Sequence, residues 1–146
     1  MQKALAEKPC EFCGLRDSSE FKVYDGKSAI AFLDFRPVFP GHTLVAPKEH
    51  YETIDRLPED LVGPFFREVR LVAMAVEKAM NADGVFIAMN NKVSQSVPHM
   101  HVHVIPRRFK DGMHGFFWPR VNYASREEMA AVQKRIREAI EQMAKQ

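Results

Sequence analysis

Three of the six histidines in this 146-residue chain fall within five residues, in Pro98-His99-Met100-His101-Val102-His103-Val104-Ile105. Histidine alternates there with apolar residues. In an extended strand, residues two apart point to the same side, roughly 6.6 Å from one another at about 3.3 Å per residue. His99, His101 and His103 are therefore expected on one face, with Met100, Val102 and Val104 entering a core. Two chemistries suit such a row. His-x-His is a metal-ligand spacing, because neutral imidazoles on one strand converge on an ion such as zinc. Alternatively, one imidazole attacks phosphorus while its neighbours orient it and protonate the leaving group. The residue types alone leave both open.

Other residues could join either chemistry. Cys10-Glu11-Phe12-Cys13 holds the chain's two cysteines. A redox pair of this spacing would follow a strand and open a helix, and no strand pattern precedes Cys10. A metal site, needing two further ligands for tetrahedral zinc, is the better reading. Asp34 is a single carboxylate in the apolar run Ala31-Phe32-Leu33-Asp34-Phe35. Asn90, Gln95 and Ser96 lie in the polar connection before the histidines, where turn chemistry also uses such residues.

Hydrophobic periodicity gives the strands and helices that carry these groups. Apolar runs at 21–24 and 29–35 flank Asp25-Gly26, a hairpin signal. A third at 43–46 follows Pro40-Gly41 and stops at Pro47. Runs at 85–90 and 100–105, the latter ended by Pro106, make five strands. Leu61, Phe65, Val69, Val72, Val76 and Met80 recur at helical spacing, with Pro58 in the first turn and Pro64 predicting a late start or a kink. Met129, Val132, Ile136, Ile140 and Met143 predict a last helix, opened by Ser125 and Glu128 as a capping box. Residues 107–123 read as an ordered loop carrying Phe109, Phe116, Phe117 and Trp118. The expected fold class is α+β: an antiparallel sheet of about five strands with two main helices packed on it, residues 1–146 forming a single domain.

Composition narrows the classes of function. Hydrophobic residues are 46% and charged residues 27%, which excludes disordered, collagen-like and coiled-coil chains. A net charge of +2 gives no electrostatic ground for a nucleic-acid or membrane partner. No apolar run approaches the ~18 residues of a membrane span, and the N-terminus has no signal-peptide core. A cytoplasmic location is the expectation.

The alternating segment resembles the signature of the histidine triad (HIT) family of nucleotide hydrolases and transferases, His-φ-His-φ-His-φ-φ with φ apolar. Gln95-Ser96-Val97-Pro98 before it, the run Ala31 to Phe35, the segment Pro40-Gly41-His42-Thr43-Leu44-Val45-Ala46-Pro47-Lys48-Glu49-His50 and the Cys10/Cys13 pair resemble family motifs in the family's order, over about residues 10 to 107. The resemblance implies a homodimeric HIT-like domain acting on a purine nucleotide. Its substrate would be a nucleoside 5′-phosphoramidate or a dinucleoside polyphosphate, cleaved at the α-phosphorus through a covalent nucleotidyl-histidine. A nucleotidyltransferase or phosphorylase, or a zinc-containing binding module without significant turnover, are the alternatives. The resemblance makes His101 the nucleophile, its second nitrogen held by the His99 carbonyl. His103 would bind phosphate and Ser96 would pass a proton to the leaving group. Asn90 and Gln95 would donate to phosphate oxygens, and Asp34 would hold the ribose hydroxyls. Phe32, Leu33 and Phe35 would include the walls of the base pocket. It also supplies His50 and His99 as zinc ligands beside Cys10 and Cys13, making zinc structural. His42 is read as a satisfied structural histidine and His114 as a loop residue. Residues 91–95 depart from the family pattern, being about two residues shorter than its usual loop and lacking glycine. The basic run 107–110 could reach distal phosphates or be solvated surface.

Overall fold

A computed structural model of the chain describes residues 10–18, 20–113 and 120–145. His114, Phe116, Phe117 and Trp118 lie outside the described residues. The chain divides into two compact units, residues 1–111 and 112–146. The first contains α1 (Glu11–Ser18), β1 (Lys22–Asp25), β2 (Ala29–Leu33), β3 (Thr43–Pro47), a 3-10 turn (Ile54–Arg56), α2 (Glu59–Ala79), β4 (Gly84–Ala88) and β5 (Val102–Arg107). The second contains α3 (Arg126–Ala144).

The five strands form one sheet in the order β1-β2-β3-β5-β4, and every pairing is antiparallel. Alternation decides what each face holds. Ala29, Ala31, Val45, Met100, Val102 and Val104 pack on Phe65, Val69, Val72 and Val76 of α2. Ile30, Phe32, Leu44 and Ala46 point to the opposite face, where Phe12 and Leu15 of α1 cover them. β2 is thus buried on both sides, which explains its unbroken apolar run. The histidines share the α1 face.

The sequence pattern did not reveal α1. At eight residues it is below the length at which a helix is stable alone, so its packing on the sheet must hold it. Other differences concern prolines. α2 runs unbroken from Glu59 past Pro64, because a proline near the N-terminus costs a single intrahelical bond. Pro47 and Pro106 lie inside strand ends rather than just beyond them. The register between β3 and β5 ends at Val104, so Pro106 needs no ladder bond on that side. β5 begins at Val102, and the Met100 amide donates instead to the Tyr51 carbonyl at 2.7 Å. In α3 the expected cap forms: the Glu128 amide donates to Ser125 Oγ at 3.1 Å, and Glu128 Oε2 accepts from the Ala124 amide at 2.5 Å.

Candidate active site and metal centre

The turn into β3 places the first site residue. Gly41 has φ +96°, and a Cβ there would meet Met80 Cγ at 2.6 Å, so only glycine fits. His42 follows it, buried, on the strand paired with β5, where Leu44 lies opposite His103.

Backbone partners fix the tautomers of His42, His99 and His101, and through His42 that of His103, since an amide N–H can only donate and a carbonyl can only accept. His99 Nε2 donates to the Pro47 carbonyl at 2.9 Å, leaving Nδ1 as a lone pair. His101 Nδ1 donates to the His99 carbonyl at 2.8 Å, as the resemblance implied, leaving Nε2 as a lone pair. The Val38 amide donates to His42 Nδ1 at 3.1 Å, so the His42 proton is on Nε2. That Nε2 lies 2.9 Å from His103 Nδ1, which must accept, so His103 carries its proton on Nε2. His99, His101 and His103 therefore alternate in tautomer along the strand. Burial pushes the pKa values of His42, His99 and His101 below the ordinary histidine value. Burial, with the neighbouring His101 and His42, takes His103 down to about 4. All four imidazoles are neutral at pH 7.

His101 and His103 line a cavity of about 270 Å³ on the α1 face, together with Ser96, Phe32, Leu33, Asp34 and Phe35. β2 ends at Leu33, so strict alternation lapses there and five successive residues, Phe32 to Arg36, reach one cavity. Phe32 is buried and Phe35 exposed. Asp34 Oδ1 accepts the Arg36 amide at 2.8 Å, and Oδ2 lies 3.7 Å from His42 Nε2. An apolar concavity of similar volume lies between the β1–β3 end of the sheet and α2. It is lined by no histidine or carboxylate.

Asn90 and Gln95 do not line the cavity. Asn90 is exposed. Gln95 Oε1 accepts the Lys92 amide at 2.9 Å and Nε2 donates to the Glu52 carbonyl at 2.5 Å. Asn91 Oδ1 accepts the Ile54 amide at 2.8 Å. These side chains fasten the short connection to the 3-10 turn. The connection lacks glycine yet uses left-handed backbone at Lys92 (φ 70°) and Ser94 (φ 57°), a strain that the fastening offsets. In the basic run, Arg107 pairs with Asp111 through two bonds of 2.5 and 2.9 Å, and Arg108 donates to the Met80 carbonyl.

Cys10, Cys13, His50 and His99 form a second cluster, their ligand atoms all within 4.8 Å of one another. Cys10 Sγ lies 3.4 Å from His99 Nδ1, and Cys13 Sγ lies 3.6 Å from both His50 Nδ1 and His99 Nδ1. Zn–S of about 2.3 Å and Zn–N of about 2.0–2.1 Å at a tetrahedral angle give S···N edges of roughly 3.6 Å. The donor set therefore fits tetrahedral zinc. The Pro47 carbonyl orients His99 from behind, as a metal-bound imidazole requires.

Periodicity missed some residues at the site. His42 gives no local signal, being one polar residue before an apolar strand. Its partner is 61 residues away and is found only through the β3–β5 register. Glu11, Phe12 and Leu15 of α1 also line the cavity.

The HIT domain family matches residues 16–110. A HIT-like protein of Saccharolobus solfataricus is 38% identical over 90% of this chain and 97% of its own. An adenosine 5′-monophosphoramidase of Saccharomyces cerevisiae is 34% identical over 72% of this chain and 66% of its own. The crystal structure of a zinc-bound histidine triad family protein from Mycobacterium smegmatis superposes with a TM-score of 0.67 at 29% identity, covering 90% of this chain and 97% of that one. Among the described residues, no helix is long and apolar enough to cross a membrane.

Proposed function

The chain belongs to the HIT family, and we propose that it binds a purine nucleotide in the α1-side cavity and hydrolyses it at the α-phosphorus. One observation carries this reading: His101 and His103 line one cavity in opposite tautomers, a lone pair on one Nε2 and a proton on the other. The first is a nucleophile and the second a neutral hydrogen-bond donor. His101 Nε2 attacks the α-phosphorus, forming an N–P bond as the bond to the leaving group breaks. The leaving group takes a proton, for which the Ser96 hydroxyl on the same cavity is the candidate donor. Water then attacks phosphorus and returns a proton to Ser96, the N–P bond breaks, and the mononucleotide leaves with the imidazole restored. Asp34 receives the ribose hydroxyls, and Phe32 with Leu33 and Phe35 walls the base.

A nucleoside 5′-phosphoramidate is the preferred substrate class, supported by similarity to the yeast monophosphoramidase. The metal reading is structural zinc held by Cys10, Cys13, His50 and His99, supported by the S···N edges and by the zinc-bound mycobacterial relative. Zinc there supplies a crosslink between α1 and the sheet. A homodimer belongs to the same reading, supported by exposed Leu71 and Met74 on α2 and exposed Ile87 on the edge strand β4.

The test is AMP release from adenosine 5′-phosphoramidate and from diadenosine polyphosphates, wild type beside His101→Ala. Release from either, abolished in the folded variant, supports the covalent route and selects the substrate. No release from any, or equal rates in the variant, discards His101 as nucleophile.

A further inference from the structure

The metal-ligand cluster and the nucleotide cavity share one short helix. Cys10 and Cys13 bracket the first turn of α1, and the Cys13 amide donates to Cys10 Sγ at 3.4 Å. Glu11 and Phe12, between those ligands, and Leu15, two residues beyond them, form one wall of the cavity. Phe12 is 4% exposed. Its ring meets His101 edge-on at 4.8 Å, Phe32 at 5.1 Å and the ligand His99 at 5.9 Å between centroids. One side chain thus touches a metal ligand, the nucleophile and the wall of the base pocket. The far end of α1 is tied by Arg16 Nη1, which donates to the Lys48 carbonyl at 2.8 Å. Eight residues do not hold a helix in place by propensity. Its position is set by what its side chains grip.

We propose that metal at Cys10, Cys13, His50 and His99 and nucleotide in the cavity are thermodynamically coupled through α1, each tightening the other, with Phe12 as the residue that carries the coupling. This rests on the nucleotide and zinc readings above. A tetrahedral ion fixes Cys10 and Cys13 against His50, beyond β3, and His99, before β5. The α1 wall is then held at one distance from Phe32. A base seated in the cavity against the packed Phe12 and Phe32 rings selects the same placement. Whichever ligand arrives first orders the wall, and the second meets it already ordered.

The experiment measures binding, not turnover. AMP, the expected product, is titrated by calorimetry into zinc-loaded and chelator-stripped protein. Zinc affinity is measured by competition with a chromophoric chelator, with and without saturating AMP. Stripping is expected to weaken AMP about tenfold, within the usual range of coupled sites, and AMP is expected to tighten zinc by the same factor. In Phe12→Ala both ligands still bind, AMP more weakly, and the coupling factor collapses to within about twofold of unity. Equal AMP affinities with and without zinc in the wild type overturn the proposal. So does an unchanged factor in Phe12→Ala, which would assign the effect to general stabilisation of the fold or to the His99–His101 segment. Failure of zinc or of AMP to bind at all overturns the inference together with the reading on which it rests, and the two titrations show which ligand is at fault.

Discussion

Replacing His42 with phenylalanine keeps a ring in the site and removes the proton that fixes the tautomer of His103. In the wild type, His42 Nε2–H faces His103 Nδ1 at 2.9 Å. The opposite tautomer of His103 would forfeit that bond, a net cost of about 0.5–1.5 kcal/mol, and bring two N–H groups face to face, leaving both unsatisfied at about 1–3 kcal/mol. Together these hold His103 as Nε2–H in more than about 90% of molecules, with about 1.4 kcal/mol for each factor of ten. In His42→Phe the bias disappears and the two tautomers become comparably populated. If Nε2–H stabilises the transition state, kcat falls roughly tenfold, allowing for lost orientation as well as tautomer, while AMP affinity changes by less than about threefold. His42→Gln, whose amide can still donate toward Nδ1, recovers part of the loss. Long-range 15N–1H correlation spectra read the tautomers directly in the nucleotide-free protein. A wild-type His103 protonated on Nδ1, or a His103 tautomer unmoved by His42→Phe, refutes the reasoning whatever the kinetics do.

Three further outcomes are expected. Zinc analysis should find about one ion per chain, lost in Cys10→Ser but retained in His103→Ala; loss in His103→Ala would instead place a metal on the histidine row. Asp34→Asn should weaken AMP by about tenfold, the scale of a hydrogen bond to a charged group, and have little effect on 2′,3′-dideoxy-AMP; an equal loss on both ligands removes Asp34 from the ribose. Buried neutral histidines make the unfolded chain bind more protons, so in metal-free protein the stability from His103 is complete above pH 6.5 and is lost as pH falls toward its folded value of about 4; a urea midpoint that stays flat from pH 7 to 4.5 contradicts this.

What could be read in advance depended on range along the chain. His101 and His103 facing away from Met100, Val102 and Val104 was legible because a strand repeats every two residues and the pattern is local. The other four strands were legible as short apolar runs bounded by turn residues, also a local signal. α1 was not, because its eight residues, with Gly14 among them, carry no helical stripe and are held by contacts to β2 and β3. His42 lies 61 residues from His103, and only the register of β3 on β5 joins them. Gln95 shows the opposite case. Its type suits phosphate binding, and nothing local told that use from fastening the loop to Glu52 and Lys92, where its side chain bonds.

The division of β5 between two faces limits how this chain can change length. Inserting or deleting one residue between Met100 and Val104 exchanges the faces of every strand residue beyond the change, sending an imidazole under α2 and a methionine or valine into the cavity. Both core and chemistry would be lost in a single event. Length changes should therefore be tolerated in connections where backbone direction is reset before the histidines begin, such as 89–97.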